Sequence, residues 1–146
     1  MPLNFHPGPG TLLMCDFRGF KAPEMIKKRP VVVVSPRRRR GSGLYTVVPL
    51  STQIPDPMER FHHLMDPRSV PVELGSKLSI AKCDMLYTVS LARLSQVRRR
   101  GGYVTPPPQV LEADLEAIHD GVLIALGLYD RIRDLLGLDA DDVYSQ

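Results

Sequence analysis

Apolar residues in the first two thirds of the chain occur in short runs, separated by loops rich in proline, glycine and charged residues. Runs of this length, bounded by such residues, are typical of β-strands. Residues 31–34 are four consecutive valines, which indicates a strand buried on both faces. We therefore predict a small β-barrel or curled sheet, with strands over residues 11–17, 30–35, 44–50, about 61–65 and 78–90.

The last part of the chain has a helical period instead. All 14 prolines lie at or before Pro108, and beyond it apolar residues recur three and four positions apart up to Leu136. The acidic residues at 112, 114, 116 and 120 are predicted to lie on the opposite, solvent-facing side, and Gly127 is predicted to bend or split the helix. The whole chain, 1–146, is predicted to be one mainly β domain, α+β overall. Its barrel covers about 10–104, its helical segment about 109–137 and its tail 138–146.

Charge is unevenly distributed along the sequence. Residues 1–110 carry 17 Lys and Arg against 7 Asp and Glu, a net +10, whereas residues 111–146 carry 2 against 9, a net −7. A basic surface attracts polyanions through long-range attraction and counterion release. Charge alone leaves two interpretations open: a nucleic-acid surface, or charge that serves only solubility.

The sequence contains no motif of a metal- or cofactor-dependent enzyme. It has no HExxH, no phosphate-binding glycine loop, no GxSxG and no carboxylates at metal-ligand spacing. We therefore expect neither a metal nor a cofactor. Cys15 and Cys83 lie in apolar runs and are predicted to be buried thiols, which fits a reducing cytoplasm. No apolar run approaches the ~18 residues of a membrane span, so no membrane partner is expected.

Arg29 and Ser51 are candidate catalytic residues on local grounds. Pro30 disfavours helix at Arg29 and favours an extended backbone that leads into the valine strand. Ser51 follows the next apolar strand, so two neighbouring strands would bring both side chains to one rim. These groups suffice to cleave RNA without a metal, because RNA supplies its own nucleophile, the 2′-hydroxyl. On the local pattern alone, a structural or solvated arginine remains the alternative.

Four segments, in order and at matching spacing, resemble the PemK/MazF family of type II toxins, the mRNA interferases. They are 10-GTLLMCDF-17, 24-EMIKKRPVVVVSP-36, 47-VVPLSTQ-53 and 82-KCDMLYTVSLARL-94. The resemblance implies an SH3-like or CcdB-like barrel with a C-terminal helix. It also implies metal-independent, sequence-specific cleavage of single-stranded RNA that leaves a 2′,3′-cyclic phosphate, a homodimer, and inhibition by a cognate antitoxin.

The resemblance also implies roles for individual residues. Arg29 matches the family's catalytic arginine, and Ser51 matches the position of its catalytic hydroxyl, which is usually threonine. Thr52 takes that role if the register slips by one residue. Glu24 matches an acid of the active-site loop, which orients the loop or the arginine. Serine keeps the hydroxyl of threonine but lacks the methyl group that fixes its rotamer, and Met85 stands where a polar residue is common.

Basic and aromatic residues near these segments are candidates for RNA contacts through backbone charge and base stacking. The alternative is solvated charge on exposed turns. His62 and His63 are further candidates for acid–base chemistry, but on an alternating strand at most one would face a groove. The predicted RNA-binding residues are Lys27, Lys28, Arg37, Arg38, Arg39, Arg40, Tyr45 and Gln53.

Two other functions fit the same barrel. The first is a nucleic-acid-binding or protein-binding module without catalysis. The second is a gyrase poison of the CcdB type, but those toxins act through a tryptophan-containing C-terminus and this chain has no tryptophan. We therefore expect a ribonuclease first and a non-catalytic binding module second.

Overall fold

A computed structural model describes residues 3–37 and 43–137, so the candidates Arg38–Arg40 and the predicted tail 138–146 lie outside the described residues. Within these ranges the chain forms β-strands, short 3-10 turns and two C-terminal helices. The strands are β1 (Leu12–Asp16), β2 (Lys28–Val33), β3 (Leu44–Ser51), β4 (His62–Leu64), β5 (Ile80–Lys82), β6 (Tyr87–Ser90), β7 (Leu94–Ser95), β8 (Arg98–Arg99) and β9 (Gly102–Tyr103), and the helices are α1 (Glu112–Ala125) and α2 (Tyr129–Leu135). The predicted class, mainly β with a C-terminal helical segment, is confirmed.

Seven strands form one antiparallel sheet. Its order is β4-β5-β3-β2-β1-β7, and β6 pairs with the first half of β3 on the edge opposite β2, which it shares with β5. Strands β8 and β9 form a separate hairpin. In the centre of the sheet Val31 pairs with Pro49 and Val33 with Val47. The central pair β2–β3 therefore has neighbours on both sides, which makes it a rigid base for a site.

The valine strand is buried on both faces, as its sequence predicts. Val31 and Val33 belong to one core cluster together with Phe17, whereas Val32 belongs to a second cluster that includes Ile118 of α1. The first cluster fills the concave part of the sheet with apolar and aromatic side chains. The second packs the sheet against α1 and holds the helical segment to the strands.

Gly121 lets α1 approach the sheet closely. A Cβ atom at this position would lie 2.7 Å from Cys83 Sγ and 2.8 Å from the Phe61 carbonyl oxygen, closer than real Cβ atoms come. A side chain there would force the helix away from β5. Close packing of α1 therefore requires glycine at position 121.

Gly127 has a different role. It follows the end of the first helix and has a φ of +72°, a backbone conformation that ends a helix. The predicted split of the helical segment at this glycine is confirmed.

One predicted strand is divided in the structure. The run over 78–90 forms β5 and β6, with a turn between them in which the Met85 N–H donates to the Lys82 carbonyl at 2.9 Å. Exposed Asp84 sits in this turn, where a charged side chain reaches water. Both cysteines are buried free thiols, as expected. Neither helix in the described ranges is long and apolar enough to cross a bilayer.

Candidate active site

Arg29 and Ser51 each lie two residues beyond the last pair of the central β2–β3 ladder, which joins Val31 to Pro49. Their own strand partners are on β1 and β5, respectively. The two side chains do line one common cavity. The structure thus brings together the two residues that the sequence selects.

The cavity has a volume of about 200 Å³. Its wall combines the arginine and the hydroxyl residues with apolar side chains. Leu74 and Ser79 enter from the segment between β4 and β5, which the sequence did not single out as part of a site. The lining residues are Arg29, Pro30, Leu50, Ser51, Thr52, Leu74 and Ser79.

The Arg29 backbone is held by β1, and part of its guanidinium lacks a partner. Arg29 pairs with Cys15 of β1 and precedes the β3-paired part of β2. Its Nε atom is buried and has no hydrogen-bond partner among the described residues. The side chain lines the cavity, where a guanidinium is a suitable partner for an anion.

Ser51 is prepared to act as a hydrogen-bond donor. Its Oγ accepts the Gln53 N–H at 3.1 Å, which occupies one acceptor position of the hydroxyl and leaves its proton to be donated elsewhere. Thr52, the alternative hydroxyl, is exposed at the mouth of the same cavity. Gln53 contributes its backbone to the site, while its side chain is exposed.

Glu24 lies in the loop between β1 and β2 and shapes that loop. Its Oε1 accepts the Lys21 N–H at 3.1 Å, and its own N–H donates to the Lys21 carbonyl at 2.9 Å. The carboxylate is exposed. Of the two roles that the sequence left open, orienting the loop or orienting the arginine, these contacts favour orienting the loop.

The candidate RNA-binding residues are not all equally accessible. Lys27 and Lys28 are exposed where the loop enters β2, and Arg37 is exposed beyond the other end of β2, with its guanidinium packed over Gly8. Tyr45 is only 6% exposed, and its hydroxyl shares a hydrogen bond with His6 Nδ1. Its ring therefore offers no free face for a base, in contrast to the expected contact.

Both histidines line a second groove, between β4 and the helices, although alternation along the strand predicts only one. His62 Nδ1 accepts the Glu59 N–H at 2.9 Å, and His63 Nε2 lies 2.7 Å from Asp114 Oδ1. The short β4 is an edge strand with no neighbour on its outer side. Side chains from both of its faces can therefore reach a groove at that edge. Neither histidine lines the Arg29 cavity.

Asp114 was predicted to face solvent and is 4% exposed instead. Its carboxylate contacts His63, the Ser69 hydroxyl and the Asp66 N–H, the last at 3.2 Å. Burial of a carboxylate is tolerated when donors surround it. Helical periodicity cannot reveal this, because the donors come from residues 45–51 positions earlier in the chain.

No three His, Cys, Asp or Glu side chains in the described parts of the chain are grouped closely enough to hold a metal ion. Arg18 donates to Asp16, which precedes the β1–β2 loop, and holds the pKa of that carboxyl at about 2. The Arg29 cavity combines a guanidinium with hydroxyl side chains, and two exposed lysines precede Arg29 in the chain, a set suited to a phosphodiester.

Comparisons with known proteins identify the family and the fold of the chain. A family model described as "PemK-like, MazF-like toxin of type II toxin-antitoxin system" matches residues 9–120. MazF (Form-I) from Deinococcus radiodurans has 19% identity and a TM-score of 0.63, with 85% of this chain and 99% of that chain covered. An endoribonuclease from a mycobacterial species has 21% identity and a TM-score of 0.60, with 85% and 94% covered.

A MazE-MazF structure (Form-II) from Deinococcus radiodurans is also similar. It has 19% identity and a TM-score of 0.58, and the match covers 86% of this chain and 99% of that chain. At these identities the solved structures show a common fold. No curated protein matches the sequence at a significant level.

Proposed function

Because the chain belongs to the PemK-like, MazF-like toxin family of type II toxin–antitoxin systems, we propose that it is a metal-independent endoribonuclease that cleaves single-stranded RNA at specific sequences. The observation that carries this proposal is the shared cavity of Arg29 and Ser51 at the ends of two rigid strands. The cavity has a volume of about 200 Å³, and all four of its polar lining side chains, Arg29, Ser51, Thr52 and Ser79, can donate hydrogen bonds to a phosphodiester group.

In the proposed reaction the substrate provides the nucleophile. The ribose 2′-oxygen attacks the adjacent phosphorus, and the bond to the 5′-oxygen of the next nucleotide breaks. A proton is lost from the 2′-hydroxyl and one is gained by the departing 5′-oxygen, so the products carry a 2′,3′-cyclic phosphate and a 5′-hydroxyl. Arg29 stabilises the additional negative charge on the phosphate, and the Ser51 hydroxyl donates to one of its oxygens.

We propose that the RNA backbone crosses the cavity next to the basic end of β2. Lys27 and Lys28 are exposed there and contribute to attraction of the phosphates. Gln53 lies on the same rim, after Ser51, and Arg37 extends the basic surface past the far end of β2. Arg38–Arg40 lie outside the described residues and stay candidates on their sequence alone.

The partners follow from the same family. The MazE-MazF structure from Deinococcus radiodurans supports the proposal that a cognate antitoxin binds and inhibits this chain in the cytoplasm. A homodimer is proposed on the same basis and on the exposure of Leu135 and Leu136 at the end of α2. A monomer mass by light scattering at micromolar concentration would contradict the homodimer.

The decisive experiment is RNA cleavage in the presence of EDTA. Parent protein is expected to cut a long single-stranded RNA at defined sites, and Arg29→Ala is expected to lower the rate at least ~100-fold, since loss of one preorganised donor costs about 2.7–4 kcal/mol. Arg131→Ala removes the same charge from an exposed position on α2 and serves as the matched control.

Two results would overturn the assignment. Cleavage by Arg29→Ala at the parental rate would show that the arginine is not part of the reaction. An RNA mobility shift by parent protein, with no cleavage under any ionic condition, would favour the non-catalytic binding module.

A further inference from the structure

The loop between β1 and β2 has few contacts of its own. Over residues 18–28 most side chains are exposed, and only Met25 is buried. Its internal hydrogen bonds are short-range, such as that from the Glu24 N–H to the Lys21 carbonyl at 2.9 Å. At its base the Phe17 N–H donates to the Lys27 carbonyl at 3.2 Å. A loop with so few internal contacts is ordered mainly by contacts with residues from other parts of the fold.

Tyr87 of β6 holds the middle of this loop. Its hydroxyl oxygen accepts the Met25 N–H at 2.9 Å, across 62 positions of sequence. Its ring lies 4.9 Å from the ring of Phe17 and 5.5 Å from that of Phe20, measured between centroids. The tyrosine therefore fixes a backbone group of the loop and also supports the aromatic side chains at its start.

Arg93 holds the beginning of the loop. Its guanidinium donates to the Asp16 carbonyl at 2.8 Å and to the Arg18 carbonyl at 2.9 Å. Its Cζ lies 4.9 Å from the centre of the Phe20 ring, within the range of a cation–π contact. The Arg93 side chain, which follows β6, thus binds two backbone carbonyls and one aromatic ring where β1 leads into the loop.

We propose that Tyr87 and Arg93 are positioning residues that order the β1–β2 loop in the free protein. Lys27 and Lys28, which directly precede Arg29, are then already in place when RNA binds. This inference rests on the proposed function for its ligand, RNA. The Arg29 backbone is already held by its pairing with Cys15 of β1, so what the anchors add is the arrangement of the lysines. A loop that is ordered in advance loses less entropy on binding, and this strengthens affinity rather than the chemical step.

The test uses Tyr87→Phe, which removes only the hydroxyl oxygen and keeps the ring. We expect KM for the mapped RNA substrate to rise about fivefold, equivalent to about 1 kcal/mol and to one neutral hydrogen bond, with kcat within twofold of parent. Hydrogen–deuterium exchange should become faster in residues 18–28. Tyr103→Phe, a half-buried tyrosine on the separate β8–β9 hairpin, is the matched control.

Two further comparisons keep this test independent of catalysis. Tyr87→Phe combined with Arg29→Ala is expected to bind the same RNA about fivefold more weakly than Arg29→Ala alone. Arg93→Lys keeps the charge but loses the Nη1 group that donates to both carbonyls and the planar guanidinium over the Phe20 ring, so it should also raise KM.

The outcomes separate the two proposals. If parent protein cleaves RNA and Arg29→Ala does not, but Tyr87→Phe has the parental KM and parental loop exchange, the positioning role is wrong and the nuclease stands. Faster loop exchange with an unchanged KM would also refute it, because loop order would then not affect binding. Absence of cleavage by the parent would refute the nuclease, and the RNA-affinity comparison would still decide the loop.

Discussion

Arg29 and Ser51 lie just past the last pair of the β2–β3 ladder and line one cavity, although 22 positions separate them in the sequence. Both lie where a paired strand begins or ends, so their backbones are held by sheet hydrogen bonds while their side chains reach the rim. Preorganisation of this kind lets donors act on a transition state without first being arranged. The two side chains proposed to act on the phosphate therefore lie at strand ends and not in loops.

Substitutions at Ser51 should distinguish its hydroxyl from Thr52. Ser51→Ala is expected to lower the cleavage rate about 100-fold, because a donor aimed at the phosphate is lost. Ser51→Thr is expected to retain at least parental activity, because the added methyl restricts the rotamer and the hydroxyl remains. Initial rates on one mapped RNA site measure both effects.

Ser76→Ala, at an exposed loop position, is the control for the loss of a serine hydroxyl. If Ser51→Ala were as active as parent and Thr52→Ala were not, the catalytic hydroxyl would belong to Thr52.

Gly121→Ala should destabilise the fold without touching the cavity. The new methyl would meet Cys83 Sγ and the Phe61 carbonyl at distances of 2.7 and 2.8 Å, so the helix or the strand must shift. Overpacking of this kind costs typically about 1–3 kcal/mol. The free energy of unfolding in urea measures the loss. Gly102→Ala, where the added carbon meets nothing within 4 Å, should cost far less; equal losses for the two variants would contradict the close approach of α1.

The two cysteines should make stability depend on pH in alkaline solution. Burial raises the pKa of both thiols from 9.0 to about 12. In the folded state they keep their protons up to about pH 12, whereas in the unfolded state they lose them near pH 9.0. Their contribution to the free energy of unfolding is therefore complete below about pH 9 and falls as the pH rises towards about 12.

Denaturant titrations across this window measure the effect. To isolate the contribution of the thiols, the parent is compared with a Cys15→Ala/Cys83→Ala double variant, whose stability should fall less steeply with pH. The native thiols should also resist alkylation near neutral pH, because the thiolate is the reactive form. Rapid alkylation of the folded protein would argue against their burial.

Sequence reasoning succeeds where the determinant is local. Pro30 restricts the backbone of Arg29, and the valine run identifies the buried strand whose start places that arginine. It fails where the determinant is a distant partner. Tyr45 and Asp114 have ordinary positions in their strand and helix patterns, yet each is buried because a group far along the chain provides a hydrogen bond. Such pairings exist only after the chain has folded.

The division of residues 78–90 into two strands has the same explanation. A continuous apolar run shows that a segment is extended, but it cannot show where the sheet changes partner. Strand β5 pairs with the end of β3 that carries Ser51, and β6 pairs with the opposite end. The turn at Asp84 is where the chain leaves one pairing for the other, and its position is set by the length of β3.

Asp114 joins α1 to the segment between β4 and β5, and the same segment contributes Leu74 and Ser79 to the cavity wall. Without α1, the Ser69 hydroxyl and the Asp66 N–H would lose the carboxylate that accepts from them, and that part of the wall would lose a brace. A variant truncated before residue 112 is therefore expected to lose the shape of the cavity as well as the helix.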